Sequence, residues 1–397
     1  MEKISQRISQ LAVSQTLAMS QRCKDLQKQG ASVIDLSVGE PDFNTPEFVK
    51  EAAKLAIDNN ISFYSPVPGF SDLLEAISAK LKRENGLNFS PAQIVVSNGA
   101  KQSLANVLLT IIEKGDEVIV PAPYWVSYVE LIKLAEGKSV VLQTSLDSDF
   151  KITPKQLEEA ITPNTRMLIL CSPSNPTGSV YSKGELEALA NVLEKYPNVF
   201  IMSDEIYEYI NFVGKHESIG QFSSIADRVI VINGVSKGYA MTGWRIGYCA
   251  GPLWLAKACN KLQGQMTTGA NSIAQKAATV AINSDGSYPK MMCQAFEKRR
   301  DLVFDRLKQI PGFNANLPHG AFYFFPEVKE LFGKMNGEEV ISNSSDLAMY
   351  ILNEANVAIV PGSAFGASDY VRFSYAASEA QLIEAMYRIE TAIKKLK

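Results

Sequence analysis

The stretch SKGYAMTGWRIGY, residues 236–248, begins where an apolar strand pattern ends and is the most specific segment of the chain. Its Lys237 follows the apolar run Val229–Ile232 and lies among glycines and small residues, so a surface charge explains it poorly. A partly desolvated lysine loses its proton readily and becomes a nucleophilic amine suited to Schiff-base chemistry. Eight residues later, Arg245 offers a planar guanidinium that fits a phosphate. The stretch therefore predicts a reactive amine and an anion-binding group in one loop.

On both sides of this stretch, short apolar runs alternate with helical patterns. The runs are rich in Val and Ile and continuously hydrophobic, which is typical of strands buried on both faces of a mainly parallel sheet. They cover Ile94–Ser97, Glu117–Pro121, Ser139–Gln143, Met167–Cys171, Val199–Ser203, Arg228–Asn233 and Ile246–Ala250. Helical patterns between them include Lys101–Glu113, Pro154–Ala160 and Lys183–Lys195. This order predicts an α/β layered domain.

The two ends of the chain have a different pattern. Long helical patterns follow residue 275, and short strand patterns then occur at Ala321–Phe325, Val357–Val360 and Val371–Tyr375. We therefore predict a large α/β domain over residues 46–295. A smaller α+β domain is predicted from residues 1–45 together with residues 296–397.

Composition excludes several classes of protein. The 397 residues are 46% hydrophobic and 20% charged, as in ordinary globular proteins. With 39 basic and 42 acidic residues and no basic stripe, the chain gives no electrostatic support for a nucleic-acid partner. Its apolar runs are shorter than the ~18 residues of a membrane span. The first residues, MEKISQRISQ, lack an apolar signal core, so we expect a cytoplasmic protein.

Cysteine and histidine are scarce. The five cysteines are scattered and odd in number, so we expect reduced core residues. They are Cys23, Cys171, Cys249, Cys259 and Cys293. The only two histidines, His216 and His319, lie far apart in the sequence. We predict no metal site, and a Ser–His–Asp mechanism would have to use one of these two.

Two loops that follow strand patterns each have two interpretations. Ser97–Lys101 opens a helix, and its Gly99 fits either an anion-binding helix N-terminus or a plain turn. Ser172–Gly178 places Asn175 between two prolines, and both X-Pro bonds fit the cis form. This loop either directs the amide into a site at the end of a strand or is a simple Asn-Pro turn.

Two charged residues in apolar segments are also ambiguous. Asp204 ends an apolar run, and it either faces a cationic partner, with Tyr207 sharing that site, or caps a helix. Arg372 lies in the strand pattern Val371–Tyr375 and should have an anionic partner. That partner is either a ligand or a carboxylate in a structural salt bridge.

In this order, the segments resemble those of fold-type I pyridoxal-phosphate enzymes. They are most similar to class I aminotransferases of the aspartate aminotransferase family, in the bacterial subgroup that includes prephenate-active members. The matching stretches are Gly39–Phe43, Tyr64–Gly69, Gly99–Gln102, Pro123–Trp125, Ser174–Gly178, Asp204–Tyr207, Ser236–Lys237, Met241–Gly247 and Val371–Arg372. The resemblance implies a mainly parallel seven-stranded sheet in the large domain, a smaller α+β domain and a homodimer with shared active sites.

The resemblance also implies a role for each cofactor residue. Lys237 would carry pyridoxal 5′-phosphate as an internal aldimine and shuttle a proton during the reaction. Asp204 would pair with the pyridine nitrogen, Tyr207 and Asn175 would hydrogen-bond the ring oxygen, and Trp125 would stack on the ring. The phosphate would be held by Gly99, Ala100, Lys101, Ser236, Arg245 and the Tyr64 of a neighbouring subunit.

Substrate residues follow from the same resemblance. Arg372 would bind the α-carboxylate, with Gly39, Trp125 and Asn175 nearby. Lys101 would bind the distal carboxylate of aspartate or glutamate. Ser14–Thr16 resembles the family's substrate-covering Ser-x-Thr segment. Ala12 stands where prephenate-active relatives tend to carry a lysine, so we expect weak activity on prephenate.

The resemblance leaves several functions open. The first is a ping-pong aminotransferase that moves an amino group between aspartate or glutamate and a 2-oxo acid, oxaloacetate or 2-oxoglutarate. An enzyme preferring prephenate or aromatic amino acids, or a pyridoxal-phosphate C–S lyase acting on cysteine or cystathionine, would share the same lysine and acid. A non-catalytic sensor, like the aminotransferase-like halves of some transcription regulators, is opposed by the retained Lys237.

Overall fold

The computed structural model describes residues 4–397. Its strands are β1 Ile34–Asp35, β2 Ile94–Asn98, β3 Glu117–Ala122, β4 Lys138–Gln143, β5 Thr165–Cys171, β6 Phe200–Asp204, β7 Val229–Gly234, β8 Ile246–Ala250, β9 Tyr323–Phe324, β10 Met335–Asn336, β11 Glu339–Val340, β12 Val357–Ala358, β13 Val360–Pro361 and β14 Val371–Ser374. Its α-helices are α1 Gln6–Ser9, α2 Gln15–Lys28, α3 Glu47–Asp58, α4 Ser71–Lys80, α5 Ala100–Ile111, α6 Ser127–Leu134, α7 Pro154–Ala160, α8 Lys183–Glu194, α9 Leu253–Met266, α10 Ser272–Ile282, α11 Ser287–Leu307, α12 Ser344–Ala355 and α13 Glu379–Ile393.

A seven-stranded sheet forms the centre of the larger unit. Its strand order is β2-β8-β7-β6-β5-β3-β4. Only β8 runs antiparallel to its two neighbours, and the other pairs are parallel. The predicted α/β fold with a mainly parallel seven-stranded sheet is therefore confirmed.

Both faces of this sheet are buried, as the continuous apolar runs predict. In β5, Leu168 and Leu170 belong to one hydrophobic cluster, whereas Met167 and Ile169 belong to the cluster on the other face. All four side chains are at most 2% exposed. Since successive side chains of a strand point to opposite faces, a strand covered on both sides must be apolar at every position.

A further hydrophobic cluster lies outside the large sheet. It combines residues between Met19 and Leu36 with residues between Met292 and Leu396, joined by three side chains of the 206–210 segment. An antiparallel sheet of order β13-β14-β9 and the parallel pair β1-β12 lie in this part. The packing is consistent with the predicted small domain, whose boundaries stay a prediction. Helix α11 runs across the predicted boundary at residue 295.

Two further expectations concern cysteines and the membrane. All five cysteines are free thiols; Cys23, Cys249 and Cys259 are buried as predicted, but Cys171 and Cys293 are partly exposed. Within residues 4–397, no helix combines the length and the apolar character needed to cross a membrane.

Candidate active site

A cavity of about 290 Å³ lies at the carboxyl edge of the central sheet, where parallel sheets bind ligands. It brings together most of the residues singled out in the sequence. Those lining it are Gly39, Ala100, Lys101, Trp125, Asn175, Asp204, Tyr207, Ser236, Lys237, Arg245 and Arg372, with Ser14 and Thr16 of the N-terminal segment. Tyr64 does not line it and is 92% exposed. Its predicted place in a neighbouring subunit's site stays a prediction.

Lys237 follows β7 and projects its amine into the cavity. Its Nζ donates a hydrogen bond to the carbonyl oxygen of Gly39 at 2.6 Å. Burial lowers the pKa of Lys237 to about 8, and the nearby guanidiniums of Arg245 and Arg372 act in the same direction. A larger share of this lysine is therefore neutral near pH 7 than of an exposed one, as a nucleophilic amine requires.

Asp204 ends β6 and is 3% exposed. Its Oδ2 accepts a hydrogen bond from the Tyr128 hydroxyl at 2.6 Å, and its Oδ1 accepts one from the Ile206 backbone N–H at 3.2 Å. Burial raises the pKa of Asp204 to about 6. One oxygen thus caps the following turn, but no helix begins there, so the interpretation of Asp204 as a helix cap is wrong. The side chain lines the cavity together with Tyr207 and Lys237, as the other interpretation predicts. A buried carboxylate of this kind gains stability from a cationic group brought next to it.

Tyr207 lies one turn beyond Asp204 and is paired with a second tyrosine. The hydroxyls of Tyr207 and Tyr323 are 2.7 Å apart, and their rings pack edge to face at 5.8 Å. Both side chains are buried, which raises the pKa of each hydroxyl. The two phenols therefore remain neutral hydrogen-bonding groups at one wall of the cavity.

Gly99 and Arg245 form an anion-binding corner at the start of α5. Gly99 has a φ of +81°, and a Cβ placed on it would overlap the Arg245 guanidinium. Arg245 itself adopts the left-handed region, at φ +59°, and its Nη1 donates to the Thr242 carbonyl at 2.8 Å. Ala100 begins the helix without a positive φ, so an alanine fits there. A helix N-terminus with free N–H groups beside a guanidinium is suited to a phosphate.

Arg372 lies in β14 and is 1% exposed. Its Nη1 donates to Asn175 Oδ1 at 3.0 Å and its Nη2 to the Ser37 carbonyl at 2.5 Å, so both partners are neutral. Within residues 4–397, its Nε has no hydrogen-bond partner. Its hydrogen bonds thus contain no structural salt bridge, and the charge faces the cavity. A buried guanidinium with neutral partners is suited to a ligand carboxylate.

Asn175 is held in the loop that the sequence marks with two prolines. The Ser172–Pro173 and Asn175–Pro176 peptide bonds are both cis, as the sequence allows. Because Oδ1 of Asn175 accepts from Arg372, its amide NH₂ group remains as the donor toward the cavity. The interpretation of this loop as a simple turn is therefore incomplete.

Lys101 and Trp125 line the cavity next to each other. The Nζ of Lys101 is 4.8 Å from the centre of the Trp125 ring, a cation–π distance. Trp125 in turn packs edge to face on Tyr128 at 5.6 Å. Lys101 therefore places an ammonium group beside aromatic side chains of the cavity lining.

Among the lining residues that sequence reasoning missed are Tyr128, Tyr323 and Cys171. Tyr128 carries a signal, because it follows Trp125 by three residues and so shares its side of the chain near the start of α6. Tyr323 and Cys171 lie in apolar strand patterns, where nothing distinguishes them from core residues.

Comparisons with known proteins agree with this geometry. The family model described as aminotransferase class I and II matches residues 31–389. The aspartate/prephenate aminotransferase of Nitrosomonas europaea is 47% identical over 395 residues, covering 98% of this chain and 100% of that protein.

Solved structures extend the likeness to three dimensions. The aspartate aminotransferase of Rhizobium meliloti has a TM-score of 0.96 at 42% identity and covers 100% of both chains. The Thermus thermophilus aspartate aminotransferase, solved with maleate, has a TM-score of 0.93 at 38% identity, covering 99% of this chain and 100% of that one. With this cavity, this fold and relatives of this similarity over the full length, the chain belongs to the class I and II aminotransferase family.

Proposed function

We propose that this protein is a pyridoxal-phosphate-dependent aminotransferase that moves an amino group between aspartate or glutamate and a 2-oxo acid. The observation that carries the proposal is the convergence of Lys237, Asp204 and Arg372 on one cavity. Lys237 supplies an amine of lowered pKa, and Asp204 supplies a buried carboxylate that a cation would stabilise. Arg372 supplies a buried guanidinium whose Nε has no hydrogen-bond partner within residues 4–397 and which a carboxylate would fit. The names of the aspartate aminotransferases among its relatives support the choice of substrate.

The residues present fit pyridoxal phosphate. Its phosphate would be held by Arg245, Ser236 and the backbone of Gly99–Lys101 at the start of α5. Arg245 can approach this backbone closely because Gly99 has no side chain. Asp204 would pair with the ring nitrogen, and Tyr207 and Asn175 would hydrogen-bond the ring oxygen. Trp125 would lie against the ring. When bound, the cofactor supplies an aldehyde for the substrate amine and an electron-withdrawing ring.

The protein's own groups would perform binding and proton transfer. Lys237 would bind the cofactor aldehyde and, once free, move a proton from the substrate α-carbon with its Nζ. Asp204 would hold a proton on the ring nitrogen by stabilising its positive charge. Arg372 would orient the α-carboxylate through its planar fork, assisted by Asn175 and the Gly39 backbone.

A dicarboxylic substrate needs a second cation, because its side-chain charge would otherwise be desolvated without a partner. Lys101 lines the cavity beside Trp125 and is the group we assign to it. A lysine suits this task, since its flexible stem can move aside for a substrate without a distal charge. Ser14 and Thr16 line the same cavity from the N-terminal segment.

A panel of donors and acceptors on purified enzyme tests this function, read by the loss and return of the cofactor's visible absorbance. We expect turnover of aspartate and glutamate with oxaloacetate and 2-oxoglutarate. Release of pyruvate and ammonia from a thioether substrate would support a C–S lyase instead. Prephenate belongs in the panel, because the Nitrosomonas relative carries it in its name. We expect weak prephenate turnover, because Ala12 stands where prephenate-active relatives tend to carry a lysine. Robust turnover would show that this interpretation of Ala12 is wrong.

Replacing Lys101 by alanine should affect dicarboxylic substrates selectively. A charge-assisted contact contributes ~1.5–3 kcal/mol, so kcat/KM for aspartate should fall roughly ten- to hundredfold while alanine and aromatic donors are spared. Steady-state kinetics with each donor measures this. The contrasting variant is Arg372→Lys, which removes the planar fork and should weaken all amino-acid donors alike. Unchanged aspartate kinetics in Lys101→Ala would remove the distal-carboxylate assignment.

We also propose a homodimer in the cytoplasm. Phe63 and Tyr64 are 82% and 92% exposed, although aromatic side chains of this size are usually covered. In a dimer, Tyr64 would reach the phosphate site of the partner subunit. Sedimentation of the purified protein measures the oligomeric state directly.

A further inference from the structure

A cluster of buried charges lies behind the cavity, beside the segment that carries Asp204 and Tyr207. Those two residues line the cavity. Each of them is directly followed by a glutamate, Glu205 or Glu208. These two glutamates are 1% and 7% exposed and form hydrogen bonds within the cluster, to His216 and Asn85. The segment after β6 thus presents cofactor-facing groups on one side and two carboxylates on the other.

Glu205 is surrounded by hydrogen-bond donors. Its Oε1 accepts from the hydroxyls of Ser203 at 2.8 Å and Ser218 at 2.5 Å. Its Oε2 lies 3.0 Å from Nε2 of His216, whose side chain is 9% exposed. Because both carboxylate oxygens are engaged as acceptors, this arrangement fits the ionised form of Glu205.

Glu208 is paired with a different cation. It bonds to the Lys80 ammonium at the end of α4, and its Oε2 accepts from the Asn85 amide at 2.8 Å. The ligand atoms of Glu205, Glu208 and His216 lie within 4.8 Å of one another, a spacing that would also suit a metal ion. Lys80 already bonds Glu208, however, so the cation present at this carboxylate is an ammonium.

Charge balance in the cluster depends on His216. The Lys80 ammonium pairs with Glu208 and also has the Glu84 carboxylate at 3.8 Å, whereas the ionisable group paired with Glu205 is His216. Burial by itself lowers the pKa of His216, but Glu205 and then Glu208 raise it against the opposing effect of Lys80, and the net pKa lies above its ordinary value. Lys215 and Arg83, which line the open cleft next to His216, are the other cations nearby.

The cluster and the cavity are linked electrostatically through the neighbouring carboxylates of Glu205 and Asp204. Burial raises the pKa of Asp204 to about 6, and the charge of Glu205 contributes to that rise as a smaller cause. A positive charge on His216 offsets that of Glu205 and so favours the ionised form of Asp204. Without that charge, Asp204 would be protonated in a larger fraction of the molecules.

We propose that His216 is a positioning residue: its imidazolium, paired with Glu205, neutralises the second carboxylate of the segment and keeps Asp204 ionised toward the cavity. This inference rests on the proposed function, in which Asp204 pairs with the ring nitrogen of the cofactor. His216 touches neither cofactor nor substrate and acts only through Glu205 and Asp204.

The first test is a double-mutant cycle. His216→Gln keeps a hydrogen-bond donor for Glu205 but removes the positive charge. We expect kcat for aspartate to fall about three- to tenfold with KM unchanged, because the pKa of Asp204 should rise by about half to one unit. In the Glu205→Gln background, the same substitution should have no effect, because the charge that it balances is gone. An equal loss of kcat in both backgrounds would indicate a packing role and overturn the proposal.

The second test needs no cofactor. Because the chain has only two histidines, His319→Gln leaves His216 as the single signal of a ¹³C-histidine-labelled protein in NMR. The cofactor-free His319→Gln protein should show His216 titrating above pH 6.5, and a midpoint at or below 6.5 overturns the proposal. His319, with a 42% exposed side chain, is also the matched control, and its replacement should leave kcat unchanged.

Failure of the inference and failure of the proposed function give different results. An Asp204→Ala variant with full activity would overturn the role of Asp204 and with it the proposed function. A normal kcat in His216→Gln beside an impaired Asp204→Ala variant overturns the positioning role alone.

Discussion

Lys237→Ala protein incubated with pyridoxal phosphate will lack the visible absorbance band of the covalently bound cofactor and will lose nearly all turnover. The substitution removes the amine that attaches the cofactor and the group that moves the α-carbon proton. Loss of proton transfer alone costs a factor of ~10²–10⁴ in rate. Lys237 Nζ lies in the cavity, 2.6 Å from the Gly39 carbonyl, and burial lowers its pKa to about 8. Absorbance spectra and kcat measure the two effects separately.

A matched control and a chemical label make this test specific. Lys183, exposed at the start of α8, is a lysine whose replacement by alanine should change neither the spectrum nor kcat. Borohydride reduction of the wild-type holoenzyme followed by peptide mapping should place the cofactor on Lys237. A label on another lysine, or an unchanged spectrum in Lys237→Ala, would contradict the central assignment.

The sequence was sufficient to predict the large sheet, because strands buried on both faces are apolar at every position. The predicted run Ile246–Ala250 is β8 itself, and Met167–Cys171 is β5 without its first two residues. The predicted run Ala321–Phe325 is a strand only at Tyr323–Phe324. Short strands are set by their pairing partners, here β14, and a local pattern contains no information about a partner some 50 residues away.

For the site, residue chemistry in an unusual setting was a sufficient signal. Lys237, Asp204 and Arg372 were recognisable because charged groups in apolar segments need partners. Tyr323 was not, since its hydroxyl meets Tyr207 only after a strand of the C-terminal part packs against the segment that follows β6. The Arg372–Asn175 bond likewise joins residues 197 positions apart. Contacts of this kind depend on tertiary packing, which periodicity and spacing do not report.

Replacing Asp204 should impair catalysis while relieving a cost of folding. Asp204→Ala or Asp204→Asn removes the charge that would hold a proton on the ring nitrogen, and the loss of one preorganised electrostatic contact lowers kcat by about 10²–10³-fold. KM should change less, because Arg372 and Lys101 still bind the substrate carboxylates. Equal turnover by wild type and variant would show that Asp204 serves only to cap the turn at Ile206.

The folding cost follows from the pKa of Asp204, which burial raises from 3.8 to about 6. A carboxyl whose pKa is raised on folding destabilises the native state above that pKa, and the destabilisation disappears as the pH falls below the ordinary value. The difference corresponds to ~3 kcal/mol, fully present above about pH 6. Cofactor-free Asp204→Asn should therefore melt a few degrees above cofactor-free wild type at pH 8, and the two melting temperatures should converge near pH 4.

Pyridoxal phosphate should reverse this order, because a cationic ring nitrogen beside Asp204 stabilises the ionised carboxylate that burial penalises. Wild type should then gain more in melting temperature from the cofactor than Asp204→Asn does. Calorimetry of both proteins, with and without cofactor at pH 8, measures the four melting temperatures. Two results would contradict this role of Asp204: a lower melting temperature for the cofactor-free variant than for cofactor-free wild type, or an equal gain in melting temperature from the cofactor in both proteins. A buried carboxylate that destabilises the cofactor-free protein, and whose cost the bound cofactor removes, is what we expect of a preorganised binding site.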